Sequence, residues 1–331
     1  MFTVFGVAYS YGAFLEPMAR EFGTGSAATS ELFSITAFLY FSLGIVSGPA
    51  VDRFGPRPVL LLGAAVIGAG LLLTSLAHQI WLAYLTYGLG VGIGAACGYV
   101  PMVAVIAGWF ERRRSLASGL AVSGIGVGTL VGAPAAGLAI AALGWRGAYA
   151  LLAPIAAGLL LLAALLAARP PRPAAESGFD ARVLLRDPEF RRLYVAILVA
   201  SISLFIVLVY LVPAAVQAGV SPLIAPLLLG CLGAASTTGR VVLGFVADRF
   251  GVVRSFQGAV AVMAAACLVW LLAPNVAVLF LFAAVYGLAY GGYIASGPGV
   301  NAELLGTRHL GGKVGFSYSA AGCRTTTART A

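Results

Sequence analysis

The sequence predicts an all-α polytopic membrane protein with six plus four transmembrane helices. Three observations predict it. Of 331 residues, 61% are hydrophobic and only 9% charged, whereas a soluble domain carries roughly 25% charged residues. The apolar residues fall into ten runs, each close to the about 20 residues that cross a bilayer as one helix. A short charged turn, Gly48-Pro49-Ala50-Val51-Asp52-Arg53-Phe54-Gly55-Pro56-Arg57-Pro58, returns later as Gly244-Phe245-Val246-Ala247-Asp248-Arg249-Phe250-Gly251. A charged turn repeated in the same setting indicates two copies of one module.

The ten runs are, in order, 2–19, 33–51, 59–77, 80–108, 116–142, 147–168, 192–216, 223–247, 255–273 and 276–300. The first follows Met1 directly, without a basic leader, and the multispan pattern continues beyond it, so no cleavable signal peptide is expected. The second and eighth runs end in the charged turns. Run four carries Tyr87-Gly88-Leu89, matched in run ten by Tyr286-Gly287-Leu288, so runs one to four correspond to seven to ten. Run five holds Gly124, Gly126, Gly128, Gly132, Pro134 and Gly137, with a Gly-x-x-x-Gly at 128 and 132, a pattern for close helix packing. Between runs six and seven, Arg169-Pro170-Pro171-Arg172-Pro173 cannot continue a helix. A short amphipathic piece follows it. These features divide the chain into an N-terminal six-helix half (1–168), a cytoplasmic linker (169–190), a C-terminal half of four helices (191–300) and a cytoplasmic tail (301–331).

The connections after the even-numbered runs carry thirteen arginines (53, 57, 112, 113, 114, 169, 172, 182, 186, 191, 192, 249 and 254). Those after the odd-numbered runs carry two, Arg20 and Arg146. Positive charge marks the cytoplasmic face. The expectation is a multi-pass protein of the plasma (inner) membrane with both termini cytoplasmic.

Composition also excludes functions. The +9 net charge lies in these connections and sets topology, which argues against a nucleic-acid partner. Cys97, Cys231, Cys267, Cys323, His78 and His309 form no ligand pattern, so no metal is expected. Gly312-Lys313 is followed by Val314, so there is no phosphate-binding loop. No cofactor is called for, and no nucleophile–base set argues for an enzyme.

Four features remain as candidates for chemistry. In the charged turns, Asp52 and Asp248 suit the positive end of a neighbouring helix. Arg53, Arg57 and Arg249 suit terminal carbonyls or acids. Gly48 and Gly244 permit another backbone to approach. Such contacts gate two helical halves, or the turns only fix orientation. Arg240 lies eight residues before Asp248, about 12 Å inside the end of its helix. A charge there costs roughly 2.5–3.5 kcal/mol. It either binds an anionic substrate in a central cavity, or snorkels or pairs structurally. Tyr9, Tyr11, Tyr99, Tyr290 and Tyr293 lie at mid-depth, where a phenol seeks a partner, in a polar cavity or on a backbone carbonyl. Tyr99 and Tyr290 accompany Pro101 and Gly291-Gly292, which can interrupt a helix. The glycines of run five serve packing first and a hinge second.

The two Asp-Arg-Phe-Gly turns resemble the signature loop of the major facilitator superfamily, over about residues 1–306. Further segments resemble its monocarboxylate-porter branch, which includes oxalate/formate antiporters. These are Tyr11-Gly12-Ala13-Phe14, Tyr99-Val100-Pro101, Trp109-Phe110-Glu111-Arg112-Arg113-Arg114, Leu185-Arg186-Asp187-Pro188-Glu189-Phe190 and Gly239-Arg240. The resemblance implies a major-facilitator-type helical bundle and secondary transport of small organic anions by alternating access. Protons or a counter-anion would be the coupling partner. It also implies that Arg240 holds a substrate carboxylate, with Tyr99, Tyr290, Tyr11 and Ser236 as further substrate-binding residues. Some members carry an Asp one turn before that Arg, where this chain has Ser236. In the family the first-loop Asp faces the start of helix eleven, and Asp248 would face the start of helix five near Ser115. The family has twelve helices, so the tail after about Lys313 reads as a frameshifted or prematurely ended version. A drug or amphiphile exporter of the same superfamily, or a non-transporting fragment or membrane sensor, is the alternative.

Overall fold

The computed structural model describes residues 1–109, 114–169, 186–271 and 275–305. The side chains of some residues inside these stretches, Asp52, Asp248 and Ser115 among them, lie outside the description. The described residues form helices and short connections, with no strand among them. The linker's amphipathic piece and the tail from 306 onward fall outside the described residues.

The helices follow the ten runs. α1 is Phe2–Tyr9 with Tyr11–Phe22, and α2 is Ser26–Ser42 with Gly44–Phe54. α3 is Pro56–Ser75. α4 joins Ile80–Ala83, a π-helical turn Tyr84–Leu89, Gly90–Gly98 and Val100–Trp109. A single helical stretch Arg114–Leu166 folds back at Gly144 (φ 69°), giving α5 (114–143) and α6 (145–166). α7 is Pro188–Gln217, α8 Pro226–Phe250, α9 Val252–Leu271 and α10 Val276–Leu305.

Among the described residues, seven stretches are by themselves long and apolar enough to cross a membrane. The difference from ten has a local cause. The stretch Leu120–Leu166 holds two runs. α1 and α2 are broken at Ser10 and Leu43, and the longest of their pieces has 17 residues. At Ser10 the hydroxyl donates to the Val7 carbonyl at 2.8 Å, a bond that competes with the helical ladder. At Tyr99 the backbone turns to φ −112°, ψ −85°. Pro101 lacks an N–H and crowds the preceding residues, which forces that break. α10, by contrast, runs unbroken through Gly291-Gly292. α7 begins cleanly because Asp187 accepts from the Glu189 amide at 2.8 Å and Pro188 occupies the first turn.

The surface is apolar. Leu61, Leu138, Leu162, Val199 and Leu281 are exposed, while Tyr11, Tyr40, Tyr87, Tyr149 and Tyr286 are fully buried. This inversion suits lipid outside and polar groups at helix contacts inside. Small residues set the closest contacts. A Cβ on Gly132 would stand 2.6 Å from the Gly6 carbonyl, and one on Gly233 2.6 Å from that of Gly126. α5 is thereby held between α1 and α8. Gly291 of α10 lies against the Ser236–Arg240 turn of α8.

The repeated turns have one backbone form. Gly55 (φ 90°, ψ 170°) and Gly251 (φ 94°, ψ 140°) end α2 and α8. Their amides donate to Val51 at 2.7 Å and Ala247 at 3.0 Å. The close approach expected at Gly48 and Gly244 is not found: among the described residues nothing lies within 4 Å of a Cβ built at either. The turn needs its terminal glycine for shape.

Candidate functional site

α8 carries Arg240 into the middle of the bundle, where it is 7% exposed. Its Nη1 donates to the Val122 carbonyl of α5 at 2.8 Å. Among the described residues nothing meets hydrogen-bonding geometry with its Nε or Nη2. Tyr99 of α4 and Tyr290 of α10 are the phenols facing the guanidinium. One turn earlier, the buried Ser236 hydroxyl likewise has no hydrogen bond among the described residues. Arg240, Ser236, Tyr99 and Tyr290 are therefore brought together. This set presents unfilled donors on a buried cation, an arrangement that favours an anion with planar oxygens.

Beyond the two phenols lies a cavity of about 20 Å³. A water needs roughly 10–15 Å³ of such space, so it holds about one. Phe5 and Tyr9 of α1, Phe41 of α2, and Ser201 and Phe205 of α7 wall it, with Tyr293 beside Tyr290. Phe5 meets Tyr99 edge-on at 4.9 Å, and Phe41 faces Phe205 at 6.3 Å. Two of the four repeat-related helix pairs, α1 with α7 and α4 with α10, contribute to the wall.

Tyr11 is elsewhere. Its hydroxyl donates to the Thr29 carbonyl and its ring stacks on Phe33 at 5.9 Å. Tyr9, which reaches the cavity, and Tyr11 are two residues apart and so project to opposite faces of the helix. Phe5, Phe41, Phe205 and Ser201 carry no functional signal of their own in the sequence, because a Phe or Ser in an apolar run reads as packing. The available signal is spacing: Phe5 and Tyr9, like Ser201 and Phe205, are four apart on helices that the repeat pairs.

At the charged-turn end, Arg57 Nε donates to the Ala167 carbonyl at 2.7 Å, and Arg169 Nη2 to the Arg53 carbonyl at 3.2 Å. Trp109 Nε1 reaches Ala168 O at 3.4 Å. The last carbonyls of a helix lack internal partners and carry its negative end, so these donors fasten the first turn to the end of α6. Arg53 lies over the Phe54 ring at 5.3 Å, and Arg249 is exposed at the end of α8. At the opposite end, bonds join the first six helices to the last four. Gln217 donates to Glu16 at 3.1 Å and Tyr210 to Ser30 at 2.9 Å. There a Cβ on Gly12 would stand 2.6 Å from the Leu208 carbonyl. A cleft of about 140 Å³ lies beside them, lined by Glu16, Arg20, Gly137, Ile140 and Pro226.

The profile of the Major Facilitator Superfamily matches residues 1–324. MFS-type transporter 1 of Ophiocordyceps sp. (strain BCC 1869) is 30% identical over 324 residues, covering 96% of this chain and 72% of that protein. Monocarboxylate transporter 13 of Bos taurus is 33% identical over 250 residues, covering 74% of this chain and 58% of its own length. Monocarboxylate transporter 12-B of Danio rerio is 28% identical over 334 residues, covering 89% and 69%. Among solved structures, a bacterial homolog to the human lysosomal transporter Spinster, in an inward-facing and unoccupied conformation, superposes with a TM-score of 0.74. That pair is 17% identical and covers 97% of this chain and 78% of the other.

Proposed function

The chain belongs to the major facilitator superfamily, a family of integral membrane transporters and not of enzymes, and on that premise we propose that it carries small monocarboxylates by alternating access. The observation that carries the reading is Arg240: a buried cation inside a membrane-spanning helix whose Nε and Nη2 have no hydrogen bond among the described residues. A carboxylate fills both donors at once, side-on, while Nη1 keeps its bond to Val122. In this reading Tyr99 and Tyr290, the phenols beside the guanidinium, add hydroxyl donors to the same oxygens. The monocarboxylate transporters among the relatives support this substrate class. The thirteen-to-two arginine asymmetry supports an inner-membrane orientation with the charged turns cytoplasmic.

A proton or a counter-anion completes the cycle. Glu16, at the opposite end and bonded to Arg20 at 2.6 Å, is remote from Arg240, and Ser236 takes no proton. A counter-anion exchanging on Arg240 therefore fits the described residues better than a carboxylate–arginine proton pair.

The test is counterflow of labelled short carboxylates into proteoliposomes. Arg240→Ala and Arg240→Lys are each expected to abolish saturable uptake, the Lys variant because it lacks the paired planar donors. Undiminished uptake by both removes Arg240 from the mechanism. A second reading, export of amphiphilic drugs, draws on the aromatic wall. Competition by cationic drugs but not by carboxylates would select it.

A further inference from the structure

Resting on the carboxylate reading of Arg240, we infer that the preferred substrate is an aromatic monocarboxylate: one carboxylate joined to a ring, in preference to short aliphatic acids and to dicarboxylates. Three observations carry it. First, Arg240 is the one buried charged side chain among the described residues. Among the described residues a second carboxylate carried into this interior has no second buried cation to meet, and an unpaired buried charge is strongly disfavoured.

Second, rings make up most of the surface beyond the phenols, together with Ile125, Leu204, Ile294 and Ser201. Phe5, Tyr9, Phe41 and Phe205 face the same small space as Tyr99 and Tyr290. They come from both sides of the bundle, Phe5, Tyr9 and Phe41 from α1 and α2, and Phe205 from α7. Arg240, the buried charge, lies beside Tyr99 and Tyr290 and does not itself wall this space, which also takes the hydroxyl-bearing Tyr9, Ser201 and Tyr293. A guest that matches this layout has its charge at one end and an apolar, flat body at the other.

Third, the rings already touch each other in the geometries that an aromatic guest would reproduce. Phe5 stands at 85° to Tyr99, and Phe41 and Phe205 lie 6.3 Å apart at 56°. The cavity of about 20 Å³ is too small for any ring, so a guest enters only by parting them. An aromatic body replaces each lost ring contact by another edge-to-face or offset contact. Acetate or formate would part the rings, or leave them closed, without supplying such contacts.

Binding of unlabelled acids to the purified, detergent-solubilised protein, read as the shift of its melting temperature with ligand concentration, tests this. The probes are benzoate, phenylacetate, acetate, formate and oxalate, with benzyl alcohol as the uncharged control. Benzoate or phenylacetate is expected to bind at least tenfold more tightly than acetate, with oxalate weakest and benzyl alcohol without effect. Phe41→Ala and Phe205→Ala are expected to reduce the benzoate-to-acetate ratio at least tenfold. Phe41→Leu and Phe205→Leu, which keep apolar volume in the helix contact, are expected to reduce it in the same direction. Acetate or oxalate binding as tightly as benzoate overturns the inference and leaves the carboxylate reading standing. Benzyl alcohol binding as well as benzoate, with no acid dependent on Arg240, overturns the carboxylate reading itself.

Discussion

The Arg240 guanidinium has five N–H donors, and the described bundle fills Nη1 alone, with the Val122 carbonyl. A bond from a charged donor contributes about 1.5–3 kcal/mol, comparable to the roughly 2.5–3.5 kcal/mol cost of placing an Arg at that depth. The residue therefore adds little net stability, and its unfilled donors tip the sum against it. Arg240→Met is expected to raise the melting temperature of the unliganded protein while abolishing uptake, since an apolar side chain carries none of the desolvation cost of a buried charge with unfilled donors. Thermal unfolding of the two purified proteins checks this; a marked fall for the variant would make Arg240 a structural residue. The sequence made Arg240 legible because a charge inside an apolar run stands out. The ring wall was not legible in the same way. Phe41 and Phe205 have the side chains that any lipid-facing position also accepts, and only the packing of α2 on α7 distinguishes them.

At the scale of elements, the ten apolar runs were readable because a bilayer demands length and hydropathy, and both are local properties. The breaks were only partly readable. Pro101 announces the one at Tyr99, but those at Ser10 and Leu43 follow from a hydroxyl-to-carbonyl bond and from local backbone geometry, which no spacing encodes. The repeated turn shows the same division. Its existence was plain, while the role of each glycine was not, since Gly48 and Gly244 are open and Gly55 and Gly251 carry positive φ. With ψ near 140–170° these two occupy a region essentially restricted to glycine. Gly251→Ala has nothing within 4 Å to meet, so its expected loss of about 1–3 kcal/mol is backbone strain alone. Gly244→Ala, in open helix, is expected to be neutral or to stabilise by up to about 1 kcal/mol. Melting temperatures of the two single variants, measured side by side, decide the assignment. Equal losses would mean that Gly244 also meets a neighbour.

For the whole molecule, the question is which end of the bundle is shut. Three contacts between the first six and the last four helices gather at the end away from the charged turns: Gln217 on Glu16, Tyr210 on Ser30, and the approach of Gly12 to Leu208. At the charged-turn end, the described bonds of Arg57 and Arg169 stay within the first six helices. Alternating access requires the contacts of one end to release as the other closes. Gly12 sets the closest of these approaches, because a side chain there collides with the Leu208 carbonyl and neither backbone can yield locally. Gly12→Leu is therefore expected to hold this end apart and to slow transport several-fold without removing the Arg240 site. A cysteine at position 140, on the wall of the adjoining cleft, reports the change in a background whose native cysteines are serine. A membrane-impermeant maleimide applied from that side should label it slowly in the parent and at least several-fold faster with Gly12→Leu, while benzoate or acetate still shifts the melting temperature. Unchanged labelling would show that α1 and α7 do not form the gate. Faster labelling together with loss of ligand binding would show that their contact shapes the site as well as the entrance.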